Sequence, residues 1–238
     1  MSTIRGARER ARIEVAAAIK DEARRHLAAE GAAKLSLRAV ARELGMVSSA
    51  LYRYFPSRDE LLTALITDAY DAVGAAAETA LARAAGAPHP DRWIAVCVAV
   101  RGWALAHPHE YALIYGSPVP GYTAPRTTVG PASRIGLALI SVARDAHAST
   151  GLALPPLPGS LRSEALRMTA DLAPDLPPAV LPALVAAWSQ LFGLISFEVF
   201  GQFNRVVEDR EDFFTHAAAQ LAHSVGLLSG GPAGTVPA

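Results

Sequence analysis

Between positions 36 and 58 the chain sets out Ser36, Arg38, Arg42, Ser48, Ser49, Tyr52, Arg53, Tyr54 and Arg58, a concentration of guanidinium and hydroxyl donors. Phosphate oxygens and base edges accept from such donors, and a guanidinium can address guanine O6 and N7 together. The chemistry these residues suit is recognition of nucleic acid. Groupings suited to catalysis are poorer. His107-Pro108-His109-Glu110 is too tightly spaced across a proline for one helical face, and His216 and His223, seven apart, lack a third ligand nearby. His26, His89 and His147 stand alone, and no G-x-S-x-G, P-loop or dinucleotide glycine pattern occurs. The single cysteine, Cys97, cannot form an internal disulfide, and its apolar stretch suits a buried structural thiol. The expectation is a binding protein with no metal and no cofactor, not an enzyme.

Those donors need a scaffold, and the pattern supplies one. From about residue 8 to 30 the chain is alanine-rich, without proline, and carries Ala16, Ile19, Ala23 and Leu27 on one helical face. Ser36 is a candidate N-cap for a helix over 37–44 that Gly45 closes, and Ser48 for one over 49–55 that Pro56 stops. Two short helices joined by a tight glycine-containing turn make a helix-turn-helix, with Val40, Ala41, Leu44, Leu51 and Phe55 packing inward. Ser57 and Glu60 have capping-box spacing and begin a long fourth helix over 58–85. Further helical stretches span roughly 91–106, 108–115, 132–149, 161–172, 179–205 and 210–228, and no period-two pattern recurs. The fold class expected is all-α: a three-helix DNA-binding domain over 1–57, and a larger helical domain over 58–228. The helix 58–85 connects the two, and a disordered tail follows over 229–238.

Charge supports this division. The chain carries 22 basic and 22 acidic residues among 238, so its formal charge is zero, which by itself argues against a polyanionic partner. Residues 1–60, however, hold twelve basic groups against eight acidic ones, an excess of four that the remainder balances. The arginine-rich start lacks the apolar core of a secretory signal, so a cytoplasmic location is expected. The uncharged run from Leu176 to Phe197 is long enough to span a bilayer, but Pro177, Pro178 and Pro182 crowd its start and Glu198 follows it; it reads as a buried or interface helix.

The run from Lys34 to Leu62, with its apolar-spaced helix, Gly45, the Leu51-Tyr52-Arg53-Tyr54-Phe55 segment and Ser57-Arg58-Asp59-Glu60-Leu61-Leu62, resembles the DNA-binding signature of the tetracycline-repressor family. The resemblance covers about residues 8–65, and departs where the family most often has His for Tyr54 and often Lys for Arg58. It implies base reading by Arg38, Val47, Ser48, Ser49 and Arg53. Tyr52, Tyr54, Ser36 and Arg58 are then assigned to phosphates. It also makes 58–228 a ligand-binding and dimerisation domain, and implies a ligand-responsive regulator, in most cases a repressor, that binds a palindromic operator in double-stranded DNA as a homodimer and is released by a small effector. The alternatives are an all-α enzyme with an accessory helix-turn-helix, and a module whose basic quarter meets an acidic protein.

Six of the seven phenylalanines fall between 192 and 214, beside Trp188. Helical spacing groups Trp188, Phe192, Gly193, Val199 and Phe203 on one helix, and Phe214, Ala218, Leu221 and Val225 on the next, as a candidate four-helix dimer interface. Trp93, Cys97, Val100, Trp103 and His107, followed by Tyr111 and Tyr115 and faced by Gln190, Leu194 and Phe197, form a candidate pocket for a largely apolar effector.

Overall fold

The computed structural model describes residues 2–149 and 151–228. Its α-helices are α1 (Ser2–Glu30), α2 (Leu37–Glu43), α3 (Ser48–Leu51), α4 (Arg58–Arg83), α5 (His89–Ala106), α6 (Pro108–Tyr115), α7 (Val129–Ala148), α8 (Arg162–Leu172), α9 (Val180–Val199) and α10 (Arg210–Val225). Among the described residues there is no strand, only one isolated antiparallel bridge between Leu152 and Leu227, so the chain is all-α. The tail expected over 229–238 lies outside the described residues.

The helices gather into two compact units. One is built from the chain up to Asp71 together with His107–Ala132, the other from Ala72–Ala106 with the chain from Ser133 onward. This grouping differs from a boundary at residue 57, because α6 and the loop after it belong with the helix-turn-helix.

In the first unit, Ile19, Ala23 and Leu27 of α1 meet Leu37, Val40 and Ala41 of α2, Leu51 of α3, and Leu61, Leu62 and Leu65 of α4 in one buried cluster. Each fully buried leucine there stabilises by roughly 1.5–3 kcal/mol. Leu113 of α6, with Val119 and Tyr122 of the following loop, packs on the same cluster, and the Tyr122 hydroxyl shares a hydrogen bond with Thr63 (2.9 Å). Arg24 adds a polar lock: Nε donates to Glu110 (3.0 Å), Nη2 to Asp68 (2.7 Å) and Nη1 to Asp21 (2.7 Å), while Lys20 also meets Asp68 (2.7 Å). Burial works against the charged guanidinium, but the carboxylates of Glu110, Asp68 and Asp21 outweigh it and hold its pKa above the ordinary value.

In the second unit α10 packs on α5 and α9, and α8 on α9. A charged pair crosses this core: Arg101 of α5 donates Nε and Nη2 to the two oxygens of Glu198 on α9, both at 2.7 Å, with its guanidinium 5.2 Å from the Phe214 ring centroid on α10. Hydrogen bonding to Glu198 raises the Arg101 pKa against the opposing effect of burial. Gly226 ends α10 in the left-handed region (φ 97°), and a Cβ there would collide with the Ala153 carbonyl.

Two helices, α3 and α9, end furthest short of their pattern. The helix expected over 179–205 stops at Val199, where Phe200 caps it and Gly201 turns left-handed (φ 81°). α3 is a single turn whose N-cap position is Val47, not Ser48, although hydrogen bonds from the amides of Tyr54 (2.8 Å) and Phe55 (3.1 Å) to the Leu51 carbonyl keep the chain coiling beyond it.

Candidate nucleic-acid interface

The helix-turn-helix is held from both ends. Ser36 caps α2 by accepting from the Ala39 amide (3.4 Å), so its hydroxyl serves the helix first. At the other end Gly45 adopts φ 64°, its N–H donates to the Arg42 carbonyl (3.1 Å) and that of Met46 to the Ala41 carbonyl (2.8 Å), a Schellman closure that sets the turn into α3. With Val40, Ala41 and Leu51 fixed in the core, the opposite surface carries Arg38, Val47, Ser49, Tyr52 and Arg53, all exposed. Neither Arg38 nor Arg53 has an ion-pair partner among the described residues. Ser48 is half-buried at the start of α3, and Tyr54 is half-buried against the core, which leaves only part of it for a phosphate.

Arg58, the expected phosphate contact at the start of α4, donates Nε to the Leu35 carbonyl (3.2 Å) and Nη2 to the carbonyls of Ala32 (2.9 Å) and Ala33 (3.3 Å), with Asp59 3.7 Å away. It staples the start of α4 to the turn between α1 and α2. The Ser57 hydroxyl accepts from the Glu60 amide (3.1 Å), as the capping-box spacing predicts.

The pocket candidates divide among three settings. Trp93, Cys97 and Val100 are fully buried on α5 and Trp103 nearly so, filling the core of the second unit. Burial pushes the Cys97 thiol up. In the first unit His107 occupies the N-cap position of α6, and Tyr111, fully buried, lies 5.2 Å from Tyr115 between ring centroids, with Tyr70 of α4 edge-on to Tyr115 at 5.9 Å. Desolvation raises the Tyr115 phenol. Gln190, Leu194 and Phe197 lie on the outer side of α9, where they help line an open groove of about 650 Å³ between α9 and α10.

The interface candidates divide by burial. Phe214, Ala218, Leu221 and Val225 are already buried at 6% exposure or less, because that side of α10 packs on α5 and α9. Phe192 is also buried, whereas Trp188 and Gly193 are exposed and Val199 and Phe203 half-buried. The outward apolar surface combines the candidates Gly193 and Phe203 with Leu194 and Phe197 of α9 and Phe213 and Ala217 of α10. α9 is thus apolar on both sides, one spent on its own core and the other open. That explains why its composition and length pass for a membrane span.

A second open groove, of about 460 Å³, runs between α4, the start of α5 and α7, with Leu81, Leu137 and Ala138 beside Arg92, Arg134 and Glu78. Arg134 grips Glu78 through Nε (2.8 Å) and Nη2 (2.6 Å), which lowers the Glu78 pKa. Arg92 spends Nη2 on Asp145 (2.7 Å). Sequence spacing gives no sign of this groove, since its residues come from three helices.

Comparison with known proteins gives the scaffold its family. Residues 19–65 match the model described as bacterial regulatory proteins, tetR family, and residues 93–221 match a tetracyclin repressor-like C-terminal domain. The HTH-type transcriptional regulator Rv1816 of Mycobacterium tuberculosis is 42% identical over 203 residues, which cover 83% of this chain and 86% of the relative. The crystal structure of SCO4313 superposes with a TM-score of 0.76 at 34% identity, covering 90% of this chain and 98% of that one. The TetR family transcriptional regulator PfmR from Thermus thermophilus (TM-score 0.57, 17% identity, 86% and 97% covered) shares the fold. So does RolR, solved in complex with resorcinol (0.51, 15%, 91% and 94%). Regulators of this kind are not enzymes, which removes the reading of a catalytic domain with an accessory helix-turn-helix. With its helix-turn-helix on an all-α scaffold, this DNA-binding chain belongs to the tetR family of bacterial transcriptional regulators.

Proposed function

We propose that the protein is a cytoplasmic, ligand-responsive repressor that binds a palindromic operator as a homodimer. The observation that carries this reading is the outward surface of the helix-turn-helix, where Arg38, Val47, Ser49, Tyr52 and Arg53 stand exposed on a fully packed core. Arg38 and the start of α3 read base edges, while Tyr52 and part of Tyr54 hold the backbone. Reading two half-sites about one DNA turn apart takes two copies. The exposed apolar side of α9 and α10, with Phe197 at 53% and Phe213 at 40% exposure, supplies a surface that a second copy would cover.

Functionally the chain divides into a DNA-reading part over 1–57 and a sensing and pairing part over 58–228 joined by α4. The effector is a small, largely apolar molecule; the 460 Å³ groove, apolar with guanidinium groups at its rim, is of a size that suits one. An effector that prefers a conformation with altered spacing of the reading surfaces lowers operator affinity by linkage. Selection of bound duplexes from a random pool tests this. The expected product is an inverted repeat; enrichment without dyad symmetry, or binding lost uniformly above low salt, would overturn the palindromic reading.

A further inference from the structure

Sorted by partner, the cations of the basic quarter fall into two classes. Lys20 and Arg24 meet Asp68, Arg25 meets Glu22, Lys34 meets Glu30, Arg42 meets Glu43 and Arg58 meets Asp59. Among the described side chains up to residue 60, Arg8, Arg10, Arg12, Arg38 and Arg53 are left without a carboxylate. Arg38 and Arg53 stand on the reading surface. The other three lie on a part of α1 that the core does not use: every described side chain from Gly6 to Glu14 is exposed, and Ile19 is the first fully buried residue of the helix. From Ile19 back to Arg8 is about 16 Å of helix at a rise of 1.5 Å per residue. The family match to the DNA-binding module begins at residue 19, the same residue at which α1 enters the core.

We propose that the projection of α1 is a second DNA contact, gripping the phosphate backbone of the duplex beside the bases read by α2 and α3. Arg8 and Arg12 lie one turn apart on one helical face and Arg10 on the other side, so cations are presented around the helix. They outnumber the two unpaired carboxylates of the segment, Glu9 and Glu14. The fold gains nothing from these arginines, since they touch neither core nor counter-charge. DNA is the polyanion that fits them because α1 itself supports the helix-turn-helix: Ile19, Ala23 and Leu27 share one buried cluster with Leu51. Docking α3 therefore carries the projection to within a few helical turns of a duplex that presents about one charge per 1.7 Å of axis. Contacts of this kind add affinity and no sequence preference.

The test is the full-length triple variant R8Q/R10Q/R12Q, titrated by fluorescence anisotropy against a random-sequence duplex of about 40 base pairs across a salt series. The plot of log affinity against log salt should flatten by about 0.9 for each arginine engaged, up to about 2.7 per protomer, while the bases preferred in a selection stay the same. The thermal midpoint should not move, because the substituted side chains are exposed. The variant R8K/R10K/R12K, which keeps the charges, should restore the full slope. A glutamine variant that is folded and has the unaltered slope would overturn the proposal, as would a lysine variant that fails to restore it. A change in sedimentation at unaltered slope counts the same way, since the projection would then serve another protein chain.

Discussion

At the scale of single residues, Arg38 and Arg58 show how alike side chains take different work. Arg38 is exposed and unpaired on the first reading helix, so Arg38→Ala should relax preference at one base position of each half-site by about 1–3 kcal/mol, measured as the change in base frequencies among selected duplexes. Arg58, by contrast, spends its guanidinium on the carbonyls of Ala32, Ala33 and Leu35. Arg58→Ala should lower stability by about 1–3 kcal/mol in urea denaturation while leaving the salt slope of DNA binding nearly intact; a flattened slope at unchanged stability would restore it to the phosphate contacts. The distinction was illegible in the sequence. Backbone carbonyls are acceptors with no residue signature, so nothing in the spelling of the 32–35 turn announces that it waits for a guanidinium. Arg38 was legible because its position on a capped, amphipathic helix decides which way it faces.

At the scale of elements, the short-range rules held at the Ser36 cap, the Gly45 closure and the Glu60 amide bond to Ser57, all local, and missed by one residue at α3, where Val47 rather than Ser48 holds the N-cap position. They do not decide between two apolar sides of one helix. α9 and α10 carry bulky apolar residues on both sides, so helical spacing cannot say which side meets its own core; the choice is made by α5, distant in sequence. The same long-range packing buries Arg101 and Glu198, whose side chains are 13% and 5% exposed. Removing one partner, as in Arg101→Met, should cost about 3–5 kcal/mol by leaving an uncompensated buried charge, whereas the double variant Arg101→Met with Glu198→Leu should recover most of it in the same denaturation assay. If the single and double variants were equally unstable, the pair would owe its place to packing alone.

At the scale of the whole molecule, zero net charge is the sum of a basic quarter and an acidic remainder. The pairing surface is the part most open to direct assay. Phe197 is outward-facing, so Phe197→Asp should spare the fold yet weaken self-association by at least about 2 kcal/mol, near thirtyfold, seen by sedimentation equilibrium; unchanged association would move the interface elsewhere. The buried cysteine has a consequence of a different sort. Cys97 is fully enclosed and burial pushes its thiol pKa up, so alkylating reagents find no ready target on the native protein. A cysteine installed at exposed Ser49 would then be the sole site for a fluorophore on the reading helix, and the slow labelling of Cys97 itself would clock how often its surroundings open.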